Sequence, residues 1–304
     1  MQLSIPESFY QEEVRCDYTV SAKMKKIWAV ELDLLYQLQQ VCEKYNIKYF
    51  ASAGTMLGAV RHGGMIPWDD DIDIMMLRDQ YDLLCSHADE FKDPYFFQTA
   101  HTDKGYFRGH AQLRNSNTTA ILTDEADRHL PFNQGIFVDI FPLDVTVSDK
   151  KVLARQIRRM HYYQEAARRS FRNSDGYNPH NVSIRGKIAH YFMPLMNRIR
   201  SYDEYYDLYE KEMTRYSHLH TKYVSKLCFA PGDFRMYDEV SEFDDTVMFD
   251  FEMLQIPLPV GYEKHLVRQF GDYMKFVIGT TSHSGVIYDP DISYKEWFRR
   301  HPQT

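Results

Sequence analysis

The sequence predicts an α+β protein: a mixed β-sheet flanked by helices, with a helical basic insertion. Three observations carry this expectation. Short apolar runs, some alternating and some continuous, recur through the first half as half-buried and buried strands require. A long stretch with helical spacing precedes them at 21–45, and another follows from 150 onward. Between 150 and 200, twelve Lys/Arg stand against Glu165 and Asp175, so this segment carries +10 while the rest of the chain carries −17, within a total of −7. With 304 residues there is room for one large domain with an insertion. The expected division is a core at 1–148, a basic, mostly helical segment at 149–225, and a C-terminal part at 226–304 that completes the core.

Ser21 caps the first helix, along which Ile27, Val30, Leu34, Leu38 and Val41 recur. IKYFA at 47–51 reads as a strand, and a turn at 52–54 leads into a short helix at 55–61. A glycine-rich loop at 62–68 opens onto DIDIMML at 71–77, whose first half alternates as a strand does. A helix follows at 79–92, then strands at 95–99, 109–114 and 117–122. GIFVDIF at 135–141 is the next strand, with Pro142 as its end. The basic segment is mostly helical and broken by SDGYNP at 174–179. A Tyr-rich polar helix at 201–223 and a strand at 249–256 precede Pro257 and Pro259, and a last helix at 262–270 ends at Gly271.

Composition narrows the class. Hydrophobic residues at 44% and charged residues at 26% are a globular balance. Aromatics at 15% suit a protein that handles sugars, bases or lipid interfaces, and equally one that fills its core with rings. Cys16, Cys42, Cys85 and Cys228 are too scattered for a disulfide framework or a structural zinc site, which fits a reducing cytoplasm. No secretory signal and no membrane-spanning run is legible, so the expected location is cytoplasmic or peripheral on the cytoplasmic face of a membrane. The basic segment reads by default as solvated helix faces. Within it, KIAHYFMPLMNRIR (187–200) joins an apolar centre to basic ends, as an interfacial helix on an anionic membrane surface does. Nucleic acid is not expected as a partner, because the remainder is acidic and no reading motif is present.

The chemistry gathers around carboxylates. In a strand Asp71 and Asp73 share one face while Ile72 and Ile74 face the core, and Asp139 sits between Val138 and Ile140 in the same manner. Carboxylates placed among core strands cannot all stay ionised uncompensated: either they hold protons or a cation sits between them. Hard oxygen ligands select Mg²⁺ or Mn²⁺, whose usual chemistry is phosphoryl transfer. Ahead of the pair, Ala53-Gly54-Thr55 opens a helix whose N–H groups and Thr hydroxyl can cradle a phosphate. Arg61 and His62 either meet a donor's phosphates or pair with the acidic loop. Trp68 stacks on a base, a sugar or a choline ammonium, or anchors its loop; Arg114 lies on a strand near the phosphate side. Asp69 and Asp70 steer a cation or cap a turn.

AGTMLGAVRHGGMIPWDDDIDI (53–74) resembles the signature of the LicD family, to which the fukutin-related transferases are also similar. Gln112-Leu113-Arg114, Asn117-Thr118-Thr119, GIFVDIFPLD (135–144) and VGYEKHLVRQFGDYM (260–274) follow in family order. The resemblance implies a polymerase-β-type nucleotidyltransferase core in which Asp71, Asp73 and Asp139 are the catalytic carboxylates and hold one or two metal ions, with Asp139 as third ligand or as base. It further implies a phosphotransferase that moves a phospho-alcohol, such as phosphocholine, from a CDP-linked donor. The acceptor would be a hydroxyl of a cell-surface glycan (lipopolysaccharide, teichoic acid or capsule) or its lipid-linked precursor, and CMP would leave. Gly54, Thr55, Arg61, His62, Trp68 and Arg114 would contact substrate. The same carboxylates serve two other readings, a nucleotidyltransferase that attaches the nucleoside monophosphate itself and a non-catalytic nucleotide- or sugar-binding protein. The identity of the alcohol and of the glycan is not written in these motifs.

Overall fold

The computed structural model describes residues 1–175, 200–279 and 285–302, with side chains of 171–175 left aside. A small hairpin, β1 (Glu13–Arg15) and β2 (Tyr18–Val20), leads into α1 (Ala22–Tyr45). The Ser21 hydroxyl accepts from the Met24 N–H at 3.2 Å, and Asn46 closes α1 in a left-handed conformation at φ 54. Trp28, Leu32, Leu34, Leu35 and Leu38 of α1 are wholly buried, and the helix packs across the sheet.

Next come β3 (Phe50–Ala51), α2 (Ala53–His62), β4 (Asp73–Leu77), α3 (Arg78–Ser86), β5 (Tyr95–Gln98), β6 (Ala111–Asn115), β7 (Thr119–Leu122) and β8 (Ile136–Thr146). The basic helix α4 (Lys150–Asp175) and α5 (Tyr202–Met213) are followed by β9 (Tyr223–Ser225), β10 (Tyr237–Glu239), β11 (Thr246–Phe251) and β12 (Leu254–Pro259). Helix α6 (Tyr262–Phe270), β13 (Val286–Asp289) and α7 (Tyr294–Arg300) complete the described chain.

Seven strands make one mixed sheet with β8 as its trunk. β4 pairs with β8 in parallel, whereas β6 and β9 pair with it antiparallel, at its first and last residues respectively. β3 extends the sheet beyond β4, β5 beyond β6, and β10 beyond β9. The hairpin β11–β12 and the pair β7–β13 stand apart from it. This is the expected mixed sheet flanked by helices.

Several boundaries depart from the sequence expectation for identifiable reasons. β8 does not stop at Pro142 but runs through it in register with Met76. The Asp139 N–H points toward β4, so by strand alternation Pro142 would point its N–H the other way, between the end of β6 opposite Ile140 and the start of β9 opposite Asp144. No donor is needed there. The strand expected at 249–256 is a hairpin turning at Glu252, and Pro257 and Pro259 lie within β12. They share one parity, so both missing donors fall on one edge. The helix expected over 201–223 ends at Met213, and β4 begins at Asp73 rather than Asp71.

The tyrosines of α5 supply a second core. Tyr202, Tyr206 and Tyr209 pack with Leu153, Met160 and Ala167 of α4, which turns Arg155 and Arg158 to the exposed side. The Tyr202 and Tyr206 hydroxyls donate to the carbonyls of Tyr106 and Arg108, both at 2.7 Å, and so fix the approach to β6. Among the described residues no helix is long and apolar enough to cross a membrane. The interfacial stretch expected at 187–200 lies, apart from Arg200, outside the described residues, as does the helix break expected at 174–179 apart from 174 and 175, which are still helical.

Arg78 at the start of α3 makes a paired contact to the buried Asp144 of β8, at 2.7 and 2.8 Å. Arg78→Met leaves that carboxylate buried without its cation, and urea unfolding should show a loss of about 3–5 kcal/mol.

Candidate active site

The parallel pairing of β4 and β8 sets Asp73 directly beside Asp139, and the antiparallel pairing of β6 sets Gln112 on the other side of Asp139. Three side chains on adjacent strands thus form one row across one face. Gln112 Nε2 donates to Asp139 Oδ1 at 2.6 Å, and His110 Nε2 lies 3.3 Å from the same oxygen. Burial pushes the Asp139 carboxyl up, but His110, Gln112 and Arg108 outweigh it and hold the group below the usual carboxylate range. Arg114 stands behind this row. Its guanidinium donates to Gln112 Oε1, to Gln98 Oε1 and to the Gly135 carbonyl, and lies over the Phe137 ring at 4.8 Å. Burial, followed by the neighbouring Arg108, lowers its pKa to about 10. Arg114 therefore acts on the row by fixing the amide of Gln112.

Asp71 lies in the loop before β4, whose next residue, Ile72, accepts from the Asp139 N–H at 3.0 Å. The carboxylates of Asp69, Asp70 and Asp71 place one oxygen each within 4.8 Å of the others. The loop is pinned from two sides: Trp28 Nε1 donates to the Asp69 carbonyl at 3.0 Å, and the Tyr288 hydroxyl to the Asp70 carbonyl at 2.9 Å. Burial, then Asp71 and Asp70, raises Asp69 to about 8. Burial, then Asp71 and Asp139, holds Asp73 well above its ordinary value, with Lys226 pulling the other way. Beneath them Glu31 of α1 is buried and likewise raised, by burial and then by the four aspartates 69, 70, 71 and 73, and its Oε2 has no hydrogen-bond partner. Several carboxyls pushed up by burial and by one another, with an orphaned buried oxygen below, fit a divalent cation with oxygen ligands.

The N-terminus of α2 faces this loop. A Cβ on Gly54 would lie 2.4 Å from Asp69 Oδ2, so glycine lets the carboxylate rest against the helix backbone. The Thr55 hydroxyl accepts from the Asp73 N–H at 2.8 Å and ties α2 to β4. Ser52, at the cap position, makes no capping bond with its side chain, which instead accepts from the ammonium of the buried Lys226.

Arg61, His62 and Trp68 form a neighbouring rim. Arg61 donates to the carbonyls of Tyr273 (2.9 Å) and Lys275 (3.0 Å) and lies over Phe276. The His62 ring meets Trp68 and Phe276 edge-on at 6.1 and 5.2 Å, and Trp68 meets Tyr18 at 6.0 Å. Asp71, Asp73, Asp139, Gly54 and Thr55 are thus gathered at one place, with the rim beside them and Arg114 behind. Sequence reasoning did not single out His110, Glu31 or Lys226, and quoted Gln112 without a role. His110, Gln112 and Arg114 do alternate, which is a readable signal; Lys226 carries none.

Scaffold and site together define an α+β protein with an acidic centre set against a helix N-terminus. Residues 46–169 match the family described as LicD/FKTN/FKRP, nucleotidyltransferase domain. The lipopolysaccharide cholinephosphotransferase LicD of Haemophilus influenzae is 29% identical over 258 residues, which covers 80% of this chain and 88% of that protein. Uncharacterized proteins of Rickettsia prowazekii and Rickettsia typhi are each 51% identical over 49 residues, 15% of this chain and 18% and 16% of theirs. Residues 46–169 thus match the LicD-family domain, and the likeness to the Haemophilus influenzae protein extends over most of the chain.

Two outcomes follow from the geometry. Gly54→Ala should leave the thermal midpoint unchanged or raised, since only a movable carboxylate must yield, while Mn²⁺ affinity in a calorimetric titration falls about 10- to 100-fold. Burial, then Arg61 and Arg15, depresses His62 from 6.5 to about 4. The fold therefore favours the neutral ring, a contribution to stability present above pH 6.5 and lost as pH falls toward 4. Ring NMR of His62 should show no protonation between about pH 8 and 5; a midpoint near 6.5 would contradict this packing.

Proposed function

We propose that the protein transfers a phospho-alcohol, phosphocholine or a similar group, from a CDP-linked donor to a hydroxyl of a cell-surface glycan or its lipid-linked precursor, releasing CMP. The observation that carries this reading is the side-by-side placement of Asp73 and Asp139 in front of the α2 N-terminus. Similarity over most of the chain to a protein named as a lipopolysaccharide cholinephosphotransferase supports it.

In this reading Asp71, Asp73 and Asp139 hold Mg²⁺ or Mn²⁺, which when bound offsets charge on the donor's phosphates and on the departing CMP. Asp139 suits the ligand role better than that of a base, because its low pKa makes it a poor proton acceptor. Gln112 and His110 hold its carboxylate in one orientation while Arg114 locks Gln112. Thr55 uses its oxygen to accept from Asp73 and so keeps its proton free to donate toward phosphate at the head of α2. Trp28 and Tyr288 fix the backbone of the acidic loop, so its carboxylates need little reorganisation.

The family's description as a nucleotidyltransferase domain keeps a second reading open, attachment of the nucleoside monophosphate itself to an acceptor. A donor labelled in the nucleotide separates the two: label leaves as CMP in the first case and joins the acceptor in the second. A screen of CDP-choline, CDP-glycerol and CDP-ribitol with Mg²⁺ should reveal acceptor-dependent CMP release for one of them. Asp73→Asn should then lower turnover by on the order of 10²–10³ or more without unfolding the protein. Wild-type turnover in that variant at saturating metal and donor would sink the assignment.

A further inference from the structure

Lys226 follows directly on β9 and is 2% exposed. Its ammonium donates to Ser52 Oγ and sits 4.9 Å from the centre of the Phe141 ring. No carboxylate among the described residues forms an ion pair with it. Two of its three N–H donors therefore lack a partner there. Its charge acts on two carboxylates, Asp73 on the site side and Asp238 behind, without touching either. Asp238 is itself held by His265 Nδ1 at 2.6 Å and by Arg268, and burial there is outweighed by these partners and by Lys226.

A buried ammonium with one neutral hydrogen bond is costly, since such charges are ordinarily paired. Other buried cations here are better provided for: Arg78 has Asp144, Arg268 has Asp238 and Glu242, and Arg114, which has no carboxylate, has three neutral acceptors. Lys226 has a single hydrogen bond among the described residues, and it lies beside the head of α2. Ser52, its only hydrogen-bond partner among the described residues, is the cap residue of α2, and the N–H groups of Ala53, Gly54 and Thr55 have no backbone acceptor within the helix. Ala53 is also held at φ 45, outside the range that alanine favours.

We propose that Lys226 is an anion-binding residue of this site and holds a phosphate oxygen of the substrate between itself and the head of α2. The assignment rests on the donor being a phosphate ester, as in the function proposed above. In it Lys226 neutralises a phosphate charge at the head of α2, while the carboxylates would hold the cation. The hydroxyl of Ser52 orients the ammonium.

The probe is inorganic pyrophosphate with Mn²⁺, which has neither base nor alcohol and so tests the phosphate contact alone. Calorimetry on wild type, Lys226→Met and Lys226→Gln measures Mn²⁺ by itself and then manganese pyrophosphate. Circular dichroism checks the fold, and the glutamine variant keeps a polar partner for Ser52 if the methionine variant does not fold. Both variants should bind manganese pyrophosphate about tenfold or more weakly, while Mn²⁺ alone binds as well as in wild type or more tightly. A purely structural lysine would weaken both or neither, and either result overturns the proposal. Failure of wild type to bind manganese pyrophosphate overturns it together with the phosphate-donor reading. Binding by wild type and folded variants alike overturns the lysine's role and leaves that reading intact.

Discussion

Two carboxylates are forced together by a strand pairing. Because β4 runs parallel to β8 in the register that puts Asp73 opposite Asp139, their side chains emerge as nearest neighbours on one face. At a neighbour distance of about 5 Å and an effective dielectric of about 20, two full charges would repel by roughly 3 kcal/mol. Much of the surrounding structure answers that repulsion. β6 and the residue just before it supply Gln112 and His110 to Asp139, α2 supplies Thr55 to the backbone of Asp73, and the turn after β9 brings Lys226 within electrostatic reach.

The answer is uneven, and the unevenness is what gives the site its chemistry. Asp139 is hydrogen-bonded and held below the usual carboxylate range, whereas Asp73 and Asp69 are pushed toward protonation by burial and by one another. A divalent cation would replace those protons with one charge placed among fixed oxygens. The elements that hold the loop in place come from distant parts of the chain, Trp28 from α1 and Tyr288 from β13. The C-terminal part thus contributes to the site through the backbone it restrains and through Lys226.

Much of the frame was legible in the residues. α1 and α6 carry a cap or a closing residue, Ser21 in one case and Gly271 in the other, and such local signals survive folding. Pro142 misled because its meaning depends on which neighbours flank β8 at that residue, a fact that only the pairing of β6 and β9 decides. The hairpin at 246–259 was hidden for a similar reason, since prolines on one edge of a strand look like punctuation when read in one dimension. Among site residues, Asp71, Asp73 and Asp139 stood out by alternation and resemblance. Arg114 was noticed, yet its place behind Gln112 follows from β6 lying against β8. Lys226 is one lysine in an unremarkable stretch, and only the return of β9 to the sheet gives it significance.

The central claim is that the paired strands build a cation site, and anomalous diffraction from crystals soaked in Mn²⁺ tests it most directly. The account predicts a peak in contact with carboxylate oxygens of both Asp73 and Asp139, absent from crystals of Asp139→Asn. The buried trio Asp238, Glu242 and His265 offers a second group of potential ligand atoms, already engaged by Arg268. A peak there alone, or none beside Asp73 in protein that is catalytically active, would contradict the account.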